Sequence, residues 1–242
     1  MNEWKPECSI FWKDHSDTAE RRYQMFTPLL VSRNFIKSSL VILCFLLANE
    51  RASGTPDSQE FHIDATSSKM MVHVGRSGVF SFAGHDHEVA VPAIAGTVTL
   101  DRTDVTRSKL SLQFDATAMK VTGIGEPAKD VPEVQRVMLS ERVLDVERHP
   151  KITFVSDSIS VGQRSANGMQ LRITGQLTLR GVVRPITVPV SVQISSDRLS
   201  ATGKATVRQT NFGIRPVSAG AGAVKVKDEV EITFTLVARP GR

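Results

Sequence analysis

The densest group of potential ligands and proton carriers in the 242-residue chain is His85-Asp86-His87-Glu88. Two histidines at i and i+2 of a strand share one face and could hold a metal ion, but a site needs a third ligand, for which His73 and His149 are the available residues. The same pair could touch the polar head of a ligand at a strand end, or be hydrogen-bonded surface residues, the usual fate of histidine. No metal is expected, because the surface reading needs no third partner. Arg208 has the opposite strand parity to Val207; its fork suits a phosphate at a cavity entrance, or an ordinary salt bridge to a neighbouring strand. Nucleophilic chemistry has no foothold. There is no Gly-x-Ser-x-Gly, no phosphate-binding loop and no suggestive carboxylate pair, and the two cysteines, Cys8 and Cys44, both precede Gly54. Past that point a catalytic thiol, a Cys-based metal site and a disulfide framework are excluded, and no enzyme is expected.

Lys and Arg number 30 against 25 Asp and Glu, a net charge of +5 spread along the chain. No basic stripe with interleaved aromatics is present, which argues against a nucleic-acid partner. Trp4, Trp12 and Tyr23 lie in the same early stretch as the cysteines, so the chain after Gly54 lacks Trp and Tyr. Residues 25–54 read as a secretory signal. Arg33 and Lys37 give a positive start, Leu40 to Ala48 form the apolar run, and Ala52 and Gly54 suit a cleavage site. The run is far short of the roughly 20 residues of a spanning helix, so an uncleaved anchor is the lesser alternative. Residues 1–24 read as an upstream extension before Met25, itself a plausible start. The expected location of the mature chain is the periplasm, with transient membrane contact possible.

The elements that must position these side chains are strands. Met70, Val72 and Val74 alternate with Met71 and His73, and Phe80 and Phe82 with Val79 and Ser81; the period-2 pattern returns at Leu110 to Phe114, Ile152 and Phe154, Leu171 to Leu179, Ile186 to Ile194, and Ile232 to Leu236. Alternation gives each strand one buried and one wet face. Gly75-Arg76-Ser77-Gly78, Ser165-Ala166-Asn167-Gly168 and Ser195-Ser196-Asp197 mark turns between them. Many short strands with little helix between them predict one all-β domain over residues 56–240, an antiparallel barrel or sandwich. One stretch departs from this. Pro132 to Asp145 predicts a short helix, with Pro132 in its first turn, Glu133 at the dipole's positive end, and Val134, Val137, Met138 and Leu144 at helical spacing. Such a helix would cap a barrel end. Residues 122–131 and 216–224 read as mobile loops.

Four stretches then carry a resemblance. They are Phe61-His62-Ile63-Asp64 with Ser67-Ser68; Met138 to Phe154, which reads MLSERVLDVERHPKITF; Gly175 to Val188, which reads GQLTLRGVVRPITV; and Arg208 to Ile214, which reads RQTNFGI. In that order they resemble the YceI-like family of periplasmic polyisoprenoid-binding proteins over nearly the whole mature chain. Val143 stands where that family has an aromatic, and His149 where it has Tyr. The resemblance implies an extended antiparallel lipocalin-like β-barrel and a long apolar cavity. It also implies a long polyprenyl lipid or related amphiphile as ligand, with no other cofactor. Periodicity alone leaves open whether such a barrel is filled by its own side chains or holds a ligand. On the lipid reading the interior residues are Val72, Phe80, Phe82, Leu112, Phe114, Met138, Ile152, Phe154, Leu177, Leu179, Phe212 and Phe234, and the head-group candidates are His85, His87 and Arg208. Two other functions stay open: a metal-assisted enzyme using His85-Asp86-His87, and a packed-barrel stress-response protein without ligand.

Overall fold

The computed structural model describes residues 58–78, 85–166, 168–219 and 224–241. The segments 1–24 and 25–54, together with Phe80 and Phe82, lie outside the described residues.

Twelve strands form one antiparallel sheet: β1 (Ser58–Ile63), β2 (Lys69–Ser77), β3 (His87–Ala90), β4 (Ile94–Asp101), β5 (Lys109–Asp115), β6 (Lys120–Val121), β7 (Lys151–Ser165), β8 (Gly168–Leu179), β9 (Val182–Ile194), β10 (Leu199–Arg208), β11 (Ser218–Ala219) and β12 (Val224–Pro240). Eight of them close a ring in the order β1, β4, β5, β7, β8, β9, β10, β12. Phe61 opposite Pro240, His62 opposite Arg239 and Ile63 opposite Ala238 join the last strand to the first. The protein is thus a closed antiparallel barrel, one of the two architectures the alternation leaves open and the one the resemblance implies.

The staves are not all continuous. Nearer its amino end, β12 leaves β1 and pairs with β2, from Lys225 opposite Ser77 to Thr235 opposite Lys69. From β2 the sheet passes to β3 and then to β6, which pairs with β3 through only Val89–Val121 and Ala90–Lys120. The chain therefore breaks three staves. One break is at Asp64–Ser68, one at Val91–Ala93, and one at the 3-10 turn Ala116–Ala118, where Asp115 accepts from the Thr117 amide. Beyond that last break β5 stays with β7 while β6 follows β3, so the wall parts at this end.

The single α-helix among the described residues, α1 (Val131–Leu139), lies at this parting. Pro occupies its first turn and Glu133 sits beside the positive end of the dipole. The sequence predicts a longer helix, to Asp145. Ser140 ends it, taking an extended backbone while its amide reaches the Arg136 and Val137 carbonyls. Hydrogen-bonded turns replace the next helical turns: Leu144 N–H donates to the Met138 carbonyl (3.0 Å) and Val146 N–H to that of Leu139 (3.1 Å). Gln135 joins helix to wall. Its side-chain carbonyl accepts from the Val121 amide (2.8 Å) and its NH2 donates to the Met119 carbonyl (2.9 Å), supplying β6 with the backbone partner its free edge lacks.

Sequence pattern explains the wall. In β8, Leu171, Ile173 and Leu177 face inward and are buried while Gln170 and Arg172 face out. In β9, Val188, Val190 and Val192 do the same. Pro185 and Pro189 are unusual in a central strand, since proline cannot donate to a ladder. They are tolerated because β10 pairs only with Val190–Ile194, leaving this half of β9 with β8 alone. The outer face is polar, with Gln170 bonded to Ser191 and Thr174 to Thr187. An apolar inside and polar outside is the reverse of a membrane-spanning barrel. No helix among the described residues is long and apolar enough to cross a membrane.

Candidate functional site

Inward-facing side chains from the strands and from α1 enclose a cavity of about 610 Å³, within the range that holds small-molecule and lipid-sized ligands. β8 and β9, with 12 and 13 residues, are the depth gauge. At 3.3 Å per residue they run about 40 Å, and with the usual barrel tilt they span about 30 Å of axis. The interior is therefore long and incompletely filled, against the packed-barrel alternative. The apolar residues of α1 make the same point from one side. Val134, Val137 and Met138 line the cavity, yet no residue of the helix is fully buried.

Of the expected interior residues, Val72, Leu112, Phe114, Met138, Ile152, Phe154, Leu177, Leu179 and Phe234 lie on the cavity wall. Two of the phenylalanines lie against glycines on neighbouring strands, Phe234 directly across from Gly203 and Phe154 diagonal to Gly175. A Cβ on Gly175 would fall 2.7 Å from the Phe154 ring, and one on Gly203 2.5 Å from that of Phe234. The missing side chains leave the space that both rings occupy against the wall. Phe212 is a correction. It is 1% exposed but is not on the cavity wall. It ends the 3-10 turn Gln209–Phe212 and borders a small outer pocket with Arg184 and Glu229, because the turn breaks the period-2 parity that its sequence position suggests.

The polar candidates separate. Arg208 is a second correction. On the outer wall, its Nε and Nη2 both donate to Glu229 Oε1 (3.0 and 2.8 Å), its cross-strand neighbour, so it makes the salt bridge and not the head-group contact. His85 precedes β3, so it and His87 do not share a strand face, and His85 is not on the cavity wall. Asp86 is exposed and accepts from the Arg76 amide (2.9 Å). Among the described residues no three His, Cys, Asp or Glu side chains gather as metal ligands. His73 pairs across strands with Glu88 at 3.6 Å, away from His87.

His87 alone of the head-group candidates lines the cavity. The other polar residues on the wall are Ser108, Glu133, Arg142, Gln209 and Ser218, none of which the sequence singles out for this role. They are unevenly placed. His87, Gln209 and Ser218 cluster around the start of β12, and Glu133 and Arg142 belong to α1 and its exit. Ser108 stands at the opposite end, where its hydroxyl already accepts from the Asp101 amide (3.0 Å). Glu133 is tied to Arg136, which holds its carboxyl below the usual carboxylate range, chiefly by hydrogen bonding. The site is thus an apolar tube with polar groups gathered at one mouth.

A family model, the YceI-like domain, matches residues 61–238 with this architecture. The chain belongs to the YceI-like family. It is similar to a UPF0312 protein of Pseudomonas syringae pv. tomato, 28% identical over 146 residues, which is 57% of this chain and 67% of that one. A UPF0312 protein of Pseudomonas aeruginosa strain LESB58 is 35% identical over 78 residues, 30% of this chain and 38% of the relative. Among solved structures, Burkholderia cenocepacia BcnA superposes with a TM-score of 0.55 at 21% identity, covering 72% of this chain and 98% of BcnA. At that identity the likeness concerns the fold. This YceI-like barrel has a lumen consistent with a binding protein, and its mouth is marked by a residue that strand periodicity does not reveal. Glu126, in the loop that the sequence reads as mobile, lies behind His87 with a side chain only 1% exposed.

Proposed function

We propose that this YceI-like protein is a non-catalytic lipid binder. It holds a long-chain polyisoprenoid, or a related amphiphile such as an isoprenoid quinone or fatty acyl compound, and carries or sequesters it in the periplasm after export by residues 25–54. The observation that supports this best is the elongated, nearly all-apolar cavity of about 610 Å³. An apolar chain gains by leaving water for such a lumen, roughly 0.3 kcal/mol per heavy atom after all costs for a drug-sized ligand. Micromolar affinity needs about 8 kcal/mol, hence on the order of 25 to 30 engaged atoms. A long prenyl chain supplies them and a short terpene does not.

Organic extraction of the purified protein followed by lipid mass spectrometry tests the reading, and the expected result is a retained long prenyl or acyl chain. Phe114→Ala and Phe154→Ala, checked for folding by circular dichroism, should bind long-chain lipid more weakly because each removes a buried wall residue. Equal binding of short and long prenyl compounds, or of neither, by folded protein would sink the proposal. Export has its own check. A processed chain starting near residue 55 has no Trp or Tyr, so normal indole absorbance in the periplasmic form would show that the amino-terminal segment is retained.

A further inference from the structure

Glu126 is the most anomalous group in the described structure. Its carboxylate is buried, and neither oxygen has a hydrogen bond. Leaving a buried carboxylate so is costly, and such a group calls for an explanation. Among the described residues its close polar neighbour is His87, whose Nδ1 lies 3.1 Å from Oε1 but is misaligned for a hydrogen bond. Nδ1 is itself buried and otherwise unpartnered. A carboxylate oxygen 3.1 Å away favours the tautomer with a proton on Nδ1, which leaves Nε2 to other partners. Nε2 is not among the buried unpartnered atoms, and His87, 21% exposed, lines the cavity.

The fold fixes this pair firmly. β3 holds His87 opposite Val74 of β2. Thr122 N–H donates to the Glu88 carbonyl (2.9 Å) and Glu126 N–H to that of Gly123 (3.3 Å), bringing the loop behind the imidazole.

We propose that His87, oriented by Glu126, is the contact for an oxygen-bearing lipid head group at the α1 mouth, with Nε2 as the contacting atom. The inference rests on the lipid-binding reading of the cavity. Glu126 is a positioning residue that does not meet the ligand. A neutral ring accepts at Nε2 from a hydroxyl; a charged one donates there to a carbonyl or phosphate oxygen. Either contact seats the ring, and a small rotation then aligns Nδ1–H with the waiting carboxylate. The chain of the ligand runs from this mouth toward the far end, where Ser108 is already bonded.

The test uses hexaprenol, hexaprenyl monophosphate and squalene, which share one carbon count and differ in the head. Delipidated exported protein should bind at least one of the two oxygenated compounds about 3- to 10-fold more tightly than squalene, the worth of one net hydrogen bond. His87→Leu should bring that ratio close to one, and Glu126→Gln should lower it part of the way. In wild-type protein labelled with 15N-histidine, the Nε2 resonance of His87 should move with the favoured compound and stay in place with squalene. This readout decides the matter even where a variant fails to fold. Preference for the alcohol alone makes Nε2 an acceptor, preference for the phosphate alone makes it a donor, and preference for both assigns the shared oxygen. Equal binding of all three, a ratio that survives His87→Leu, or a silent Nε2 overturns the head-group site and leaves the lipid cavity standing. Binding of none overturns the cavity reading itself.

Discussion

The two ends of the barrel wall are held together by different means. At the β1–β4 end strand pairing does the work. β1 is paired on both edges, by β4 and by β12, and Phe61 between them is 0% exposed beside the equally buried Ala238. Carboxylates lock the corners. Asp64 accepts from Thr66, Ser67 and Arg239, and Asp101 accepts from Thr103 and Asp104. At the α1 end the strands part, and the gap is bridged by a helix and one side-chain amide, Gln135. Nearly all the polar groups of the lumen gather there. The contrast shows where a ligand can pass: continuous strand pairing resists local opening, whereas a helix held by a few contacts belongs to the low-stability part of a fold.

The contrast can be broken most sharply at the fully paired end. Phe61→Ala should cost about 3–5 kcal/mol of stability, as loss of a fully buried aromatic does, read as a lowered denaturant midpoint. Val134→Ala, on the cavity face of α1, should cost far less. Equal losses would mean that the two ends are built alike.

Gln135→Ala comes next. It strips two hydrogen bonds from the edge of β6 and should cost on the order of 1–2 kcal/mol. Hydrogen exchange at Val121 and through α1 should speed up while amides of β1 and β4 stay protected. Uniform acceleration over the whole barrel would contradict a locally openable end.

Acid should act on the corners. Hydrogen bonds, first those from Thr66 and from Thr103, hold the Asp64 and Asp101 carboxyls below their ordinary value of 3.8. A lowered folded-state pKa means that the unfolded chain takes up protons first. This stabilisation is therefore fully present above the ordinary carboxylate range and is lost as the pH falls through the lower folded values. Thermal midpoints should decline over that acid window, and Asp64→Asn with Asp101→Asn should flatten the decline. An unchanged slope in the double variant would remove these corners from the account.

Arg208→Ala should have the smallest effect. It breaks an exposed cross-strand ion pair worth roughly 0.2–1 kcal/mol and should leave lipid preference untouched. A changed head-group preference would return Arg208 to the mouth.

The amino-acid sequence by itself determined the kind of wall. Period-2 alternation in β8, β9 and β12 can satisfy both water and core only as strands with one face in, and Leu112, Phe114, Phe154 and Leu177 were legible as interior from parity alone. Parity also turned Arg208 away from Val207, although it could not say whether a phosphate or Glu229 waited there. Where the backbone leaves the strand, parity has no meaning. Phe212 ends a 3-10 turn and is not on the cavity wall, and Ser140 ends the helix short of Asp145. The tertiary structure alone decided that the lumen stays open, because that depends on how far apart the walls stand and on the space that Gly175 and Gly203 leave for two rings. It alone set Glu126 behind His87 too. These residues are far apart in sequence and meet only because β3, β6 and the loop into α1 fold back on one another, and no local pattern encodes such a contact.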